Sequence, residues 1–127
     1  MPTLFERIVT GEIPCHKVWE DDEHLAFLDI HPRVLGHTLV VPKKAYPDLY
    51  TMPDGAYTRL FEAVRTVALR LEEKTGCAKV VMLVIGYDVP HVHVHLMPTN
   101  SLSEVALPPV DRDAQSRLAE TAEWLAR

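Results

Sequence analysis

His91-Val92-His93-Val94-His95-Leu96-Met97-Pro98 places three of the chain's seven histidines on alternate positions of an otherwise apolar run. Valine and leucine favour extended backbone, and Pro90, just upstream, suits the first position of a strand. Successive side chains of a strand point to opposite faces. His91, His93 and His95 therefore share one face, and Val92, Val94 and Leu96 take the other. Neighbouring imidazoles then root roughly 7 Å apart, and the outer two about 13 Å apart, from a rise of about 3.3 Å per residue.

The rest of the chain supplies the elements around that strand. "AKVVMLVIG", residues 78–86, reads as a well-buried fourth strand ahead of it. Between Thr51 and Thr75 the period is helical: Tyr57, Leu60, Phe61, Val64, Val67, Ala68 and Leu71 follow i, i+3, i+4 spacing, and Gly76 ends the pattern. "HTLVVP", residues 37–42, is a third strand closed by Pro42, and "HPRVLG" before it is a loop. "HKVWEDDEHLAFLDI", residues 16–30, reads as two strands around the acidic turn Asp21–Asp22. At the start, Thr3 and Glu6 have capping-box spacing, and Leu4, Phe5 and Ile8 make one apolar face of a short helix that stops at Gly11. After the histidines comes a linker rich in proline and serine, then a tail helix from Asp111 with Leu118, Ala122 and Leu125 on one face. The order α-β-β-β-α-β-β predicts an α+β fold with a five-stranded antiparallel sheet, one long helix and a short N-terminal one. Residues 1–100 are expected to form the domain, with 101–127 a linker and tail helix packed on it.

Bulk properties narrow the partners. A chain of 127 residues is most simply one domain with a real core. Hydrophobic residues at 47% and charged ones at 24% are ordinary for a soluble globular protein. Thirteen basic against 18 acidic residues give a net charge of −5, whereas a protein that grips nucleic-acid backbone leans basic. The longest wholly apolar run, Val80 to Ile85, is six residues and too short to span a membrane. "MPTLFERIVTGEIP" carries acids and a proline early and has no signal-peptide core. Cys15 and Cys77 make neither a metal pair nor a disulfide framework, so a reducing, cytoplasmic setting is expected.

Three uses of the histidine row compete. A solvent-facing edge that happens to be rich in histidine fits poorly with threefold repetition at a strict period of two. A metal site would need ligand nitrogens about 2.0–2.1 Å from one ion, which His91 and His95 cannot both supply along a straight strand. His93 and His95 could do so if another element supplied a third ligand, but Leu96, Met97, Pro98 and Thr99 bring no carboxylate nearby. The third use is covalent catalysis. A neutral imidazole attacks through one ring nitrogen while an acceptor holds the other, and its neighbours donate to anionic oxygens. Three imidazoles on one face suit transfer of a phosphoryl or nucleotidyl group.

With its motif His-φ-His-φ-His-φ-φ complete at His91 to Met97, where φ is apolar, the chain closely resembles the histidine triad (HIT) family. Residues 11–43, "GEIPCHKVWEDDEHLAFLDIHPRVLGHTLVVPK", resemble the family's N-terminal block almost throughout, and the tail after Asn100 lies outside the match. The resemblance implies a HIT-like fold, a homodimer, and hydrolysis at a nucleoside 5′-phosphate through a nucleotidyl-histidine intermediate. It makes His93 the nucleophile, with its far ring nitrogen held by the His91 backbone carbonyl. His95 contacts the phosphate and leaving-group side, and His37 supports the cluster. Asp29 matches the position that grips the ribose hydroxyls, and a carboxylate can accept two such bonds. Leu4, Phe5, Ile8, Phe27, Leu28 and Ile30 match the apolar base pocket.

Departures from the family pattern matter as well. Where some members hold structural zinc with a first-turn Cys-x-x-Cys pair, this chain reads Thr3-Leu4-Phe5-Glu6, and Ala45 replaces a histidine often found after "PK". Neither metal nor cofactor is expected. The only asparagine is Asn100 and the only glutamine Gln115, so the amide donors that many members carry before the triad are missing. The expected activity is that of a purine nucleoside phosphoramidate or dinucleotide-polyphosphate hydrolase acting on a small-molecule nucleotide. The alternatives are a non-catalytic nucleotide sensor using the same pocket and a histidine-ligated metal hydrolase.

Overall fold

Thr3 opens the first helix, α1 (Leu4–Val9), through a reciprocal capping box. Its hydroxyl oxygen accepts the Glu6 N–H, while the Glu6 carboxylate accepts the Thr3 N–H. Two strands follow, β1 (Lys17–Glu20) and β2 (His24–Leu28), and the turn between them is held by Asp21, whose carboxylate accepts the N–H groups of Glu23 and His24. Strand β3 (Thr38–Pro42) leads to the long helix α2 (Asp54–Thr75), then to β4 (Lys79–Val84) and β5 (Val94–Thr99). The tail carries α3 (Arg112–Gln115) and α4 (Leu118–Ala126). The computed structural model describes residues 1–127.

All five strands form one antiparallel sheet in the order β1-β2-β3-β5-β4. The expected α+β architecture and element order are therefore those of the molecule. Helix α2 buries Leu60, Ala63, Val64, Val67 and Leu71 against Ala26, Val40, Val92, Val94 and Leu96. Each large apolar side chain buried there contributes about 1.5–3 kcal/mol. Leu60 has no exposed surface, so Leu60→Ala would cost about 2–5 kcal/mol. Gly76 closes the helix in the left-handed region at φ +67°, donating to the Glu72 carbonyl.

Register sorts the opposite face. Residues paired across antiparallel strands share a side, and Phe27 pairs with Leu39, which pairs with His95. Period two then puts Leu25, Phe27 and Asp29, His37, Leu39 and Val41, and the three triad histidines all on the face away from α2. A smaller apolar cluster of Phe5, Leu25, Phe27, Leu39 and Val41 covers part of that face, with α1 delivering Phe5.

Several expectations are corrected. The fifth strand begins at Val94 and runs to Thr99; His91 and His93 lie on its approach, where the Val92 N–H bonds to the Tyr46 carbonyl in a loop. The β3 partners of β5 extend only from Thr38 to Val40, so no ladder with β3 reaches back to His91. The long helix starts at Asp54 instead of Thr51, because Pro53 pushes Met52 into extended backbone at ψ 143°. β4 is not well buried. It is an edge strand whose Met82, Leu83 and Val84 are exposed, as is Ile85 just after it, since α2 packs only against Val80 near its start. The tail forms two helices in place of one, neither with a buried residue, and Leu118 and Leu125 are 67% and 70% exposed. No helix is long and apolar enough to cross a membrane.

Candidate active site

His93 sits beneath Phe5, with ring centroids 4.8 Å apart, and its Nδ1 lies 2.8 Å from the His91 carbonyl oxygen. A carbonyl only accepts, so the proton is on Nδ1 and the Nε2 lone pair of the neutral ring is unshared. This is the tautomer a nucleophile at Nε2 requires. The far nitrogen of His93 is thus held as expected.

The same logic runs through the other rings. The Arg33 backbone N–H donates to His37 Nδ1 at 3.1 Å, which leaves the His37 proton on Nε2. That Nε2–H donates to His95 Nδ1 at 2.9 Å, so His95 carries its proton on Nε2 as a free donor. His91 Nε2–H donates to the Pro42 carbonyl at 2.7 Å, and His91 Nδ1 accepts from the Thr3 hydroxyl, also at 2.7 Å. No buried side-chain nitrogen or oxygen lacks a partner. One lone pair and one free donor, on His93 and His95, are what the cluster presents; their ring centroids are 5.3 Å apart.

Burial sets the electrostatics. Desolvation pushes His37 below the ordinary imidazole value, against the pull of the nearby Asp29 carboxylate and with the help of the Arg33 charge. His95 is lowered chiefly by burial and further by His93 and His37. His91 is lowered by burial, and its bond to the Pro42 carbonyl opposes the shift. These three rings are therefore neutral near pH 7 and keep the donor and acceptor roles just assigned.

Asp29 reaches the same cluster. Its Oδ1 accepts the His31 N–H at 2.8 Å, and its Oδ2 lies 3.6 Å from His37 Nε2. Ligand atoms of Asp29, His37 and His95 all lie within 4.8 Å of one another, which raises the metal alternative afresh. To ligate an ion through Nε2, His37 would have to move its proton to Nδ1, where it would face the Arg33 N–H donor at 3.1 Å. The donor set fits a hydrogen-bonded relay better than a metal.

The expected apolar pocket is only partly assembled. Phe5 and Phe27 pack on each other with centroids 5.9 Å apart, and Ile8 is half-buried against the same cluster. Leu4 is 46% exposed and Ile30, in the loop after β2, is 76% exposed. Leu28 pairs with Thr38, itself paired with the core residue Leu96, so its side chain belongs to the face away from the histidines. Sequence reasoning missed Thr3 and Arg33 as partners of the cluster. Thr3 has a local capping signature but meets a ring 88 residues away, and Arg33 acts through a backbone N–H, which no residue type announces. The surface depression lined by Asp21, Asp22, Glu23, Glu62 and Arg59 lies on the α2 side, and its acidic rim is ill suited to a phosphate.

Comparison with known proteins adds four findings. A family profile described as HIT domain matches residues 10–102. An uncharacterised HIT-like protein of Methanocaldococcus jannaschii is 41% identical over 100 residues, covering 75% of this chain and 77% of its own. An adenylylsulfatase of Arabidopsis thaliana is 33% identical over 100 residues, covering 75% of this chain but 51% of its own length. Among solved structures, a HIT family protein from Bacillus subtilis superposes with a TM-score of 0.83 at 29% identity, covering 99% of this chain and 96% of the other.

Proposed function

Since the chain belongs to the HIT family, we propose that it is a nucleotide-binding hydrolase acting at the α-phosphate of purine nucleoside 5′-phosphate conjugates, phosphoramidates or dinucleotide polyphosphates, through a nucleotidyl-histidine intermediate. The observation that carries this is the His93 tautomer: Nδ1–H on the His91 carbonyl and a free Nε2 lone pair. His93 Nε2 attacks the α-phosphorus; the bond to the leaving group breaks, and that group departs with the electron pair and takes a proton from solvent. Water then attacks the phosphorus, the N–P bond breaks, and the nucleoside 5′-monophosphate leaves as one proton is released. Throughout, His95 Nε2–H donates to the charge developing on oxygen, and His37 keeps His95 in that tautomer.

Asp29 takes the ribose hydroxyls, and Phe5, Phe27 and Ile8, with Leu4 and Ile30 at the rim, take the base. An adenylylsulfatase among the relatives supports adenylyl chemistry as the class. The exposed apolar row of β4, with Leu118, Trp124 and Leu125 of the tail, supports a homodimer closed through these surfaces. Two free cysteines agree with a reducing, cytoplasmic setting, and the reaction needs no cofactor.

One observation favours a sensor with weak turnover. Asn100, the only asparagine, follows the far end of β5, where its Oδ1 accepts the Ala78 N–H at 3.0 Å, so it brings no amide donor to the triad at the start of that strand. Product analysis separates the two. An AMP–amine conjugate should be hydrolysed to AMP and free amine, acid quenching should trap adenylylated protein, and His93→Ala should abolish both while binding AMP almost normally. Wild-type kcat in His93→Ala would rule out the mechanism; AMP binding without any turnover would favour the sensor.

A further inference from the structure

Thr3 uses one oxygen for two purposes. Its lone pair caps α1 by accepting the Glu6 N–H at 3.0 Å, and its O–H meets His91 Nδ1 at 2.7 Å. The direction of that second bond follows from the first nitrogen of the ring: His91 Nε2–H already donates to the Pro42 carbonyl, so Nδ1 can only accept. His91 has no exposed surface, and without the hydroxyl its Nδ1 would be a buried acceptor with no partner. The backbone of that same residue supplies the carbonyl that accepts the His93 Nδ1–H. Phe5, two residues after Thr3, closes the arrangement by packing edge-on against His91 at 5.5 Å and tilted against His93 at 4.8 Å.

We propose that Thr3 is a positioning residue of the triad: its hydroxyl, aimed by the α1 capping box, holds His91 in the Nε2–H tautomer and so holds the carbonyl that sets His93. The groups facing His91 are Glu6 of α1, His93 beside it and the Pro42 carbonyl of β3. Glu6 is occupied by the Thr3 N–H at 2.9 Å, which leaves the hydroxyl as the donor that serves Nδ1. Burial lowers the His91 pKa, in keeping with a neutral ring that needs a donor there. The catalytic consequence rests on His93 being the nucleophile; the tautomer of His91 does not.

Three variants separate positioning from capping. Thr3→Ser keeps both the cap and the donor. Thr3→Asp keeps the cap, because a carboxylate accepts the Glu6 N–H well, but has no proton for His91. Thr3→Val keeps the shape and loses both. Nitrogen-15 spectra of the imidazoles should show His91 neutral and protonated on Nε2 in the wild type and Thr3→Ser between about pH 6 and 8, and doubly protonated in Thr3→Asp over the same range. Turnover of the AMP–amine conjugate should fall on the order of 10- to 100-fold in kcat for Thr3→Asp, because a charged His91 ring opposes the positive charge that His93, coupled to it, takes on as it attacks. KM and the thermal midpoint should change little, and Thr3→Ser should restore kcat. A wild-type His91 spectrum or a wild-type kcat in Thr3→Asp would overturn the proposal. Spectra as expected in a protein that turns over no nucleotide conjugate would uphold the His91 assignment and remove the proposed hydrolase instead.

Discussion

Removal of the His37 ring should damage activity only through His95. His37 is 3% exposed, accepts the Arg33 N–H and donates to His95 Nδ1. His37→Ala deserts both partners, but Arg33 is exposed, so water can take over its N–H. The loss then centres on one partly buried acceptor, worth about 1–3 kcal/mol, or on the order of 5–10 °C in thermal midpoint for a chain of this length. For catalysis, His95→Ala removes a preorganised donor and should lower kcat/KM on the order of 100-fold. His37→Ala leaves that donor present but unheld, and about tenfold is expected. If the two acted independently, the double variant would lose about 1,000-fold; if His37 works through His95, it should lose no more than about 100-fold. That tenfold difference is a coupling energy of about 1.4 kcal/mol, within the range for residues of one network. The assay is kcat/KM for the AMP–amine conjugate across the four proteins of the cycle. A multiplicative loss in the double variant would refute the relay.

Asp29→Ala should weaken AMP binding by about 1–3 kcal/mol, and the unmodified protein should bind the 2′,3′-dideoxy analogue correspondingly less well; equal affinities would contradict the ribose assignment. Light scattering should return twice the 14.4 kDa chain mass, and Leu83→Asp on the exposed β4 edge should shift the protein toward monomer; a monomeric wild type at micromolar concentration would reject the dimer. Burial lowers the native pKa values of His37, His91 and His95, so the unfolded chain takes up those protons first as pH falls through about 6.5. Stability from these rings should be full above that value and be lost toward the lowered native ones, and a thermal midpoint that rises on acidification would contradict the sign. Asp88 is exposed and forms no ion pair, so Asp88→Asn should leave activity unchanged or slightly raised; a sharp loss would make its carboxylate part of the chemistry.

What the sequence determined by itself is what repeats over short distances. The period of two at His91, His93 and His95 separated a chemical face from an apolar one, and Val92, Val94 and Leu96 do lie in the core under α2. The helical period from Leu60 to Leu71 and the Thr3–Glu6 spacing were legible for the same reason, since backbone geometry relates residues a few positions apart. Hydropathy alone misread β4: six apolar residues in a row look the same whether a helix covers them or they end a sheet at its edge. The family resemblance put Leu28 in the base pocket, but a residue at the end of a strand takes its face from the register with β3, which turns Leu28 away from the histidines. Only tertiary structure decided the proton positions of His91 and His95. His91 takes its tautomer from Thr3, 88 residues away, and from Pro42, 49 away, while His95 takes its own from His37, 58 away. A ring nitrogen becomes donor or acceptor according to what lies about 3 Å from it, and sheet register and helix docking decide that neighbour.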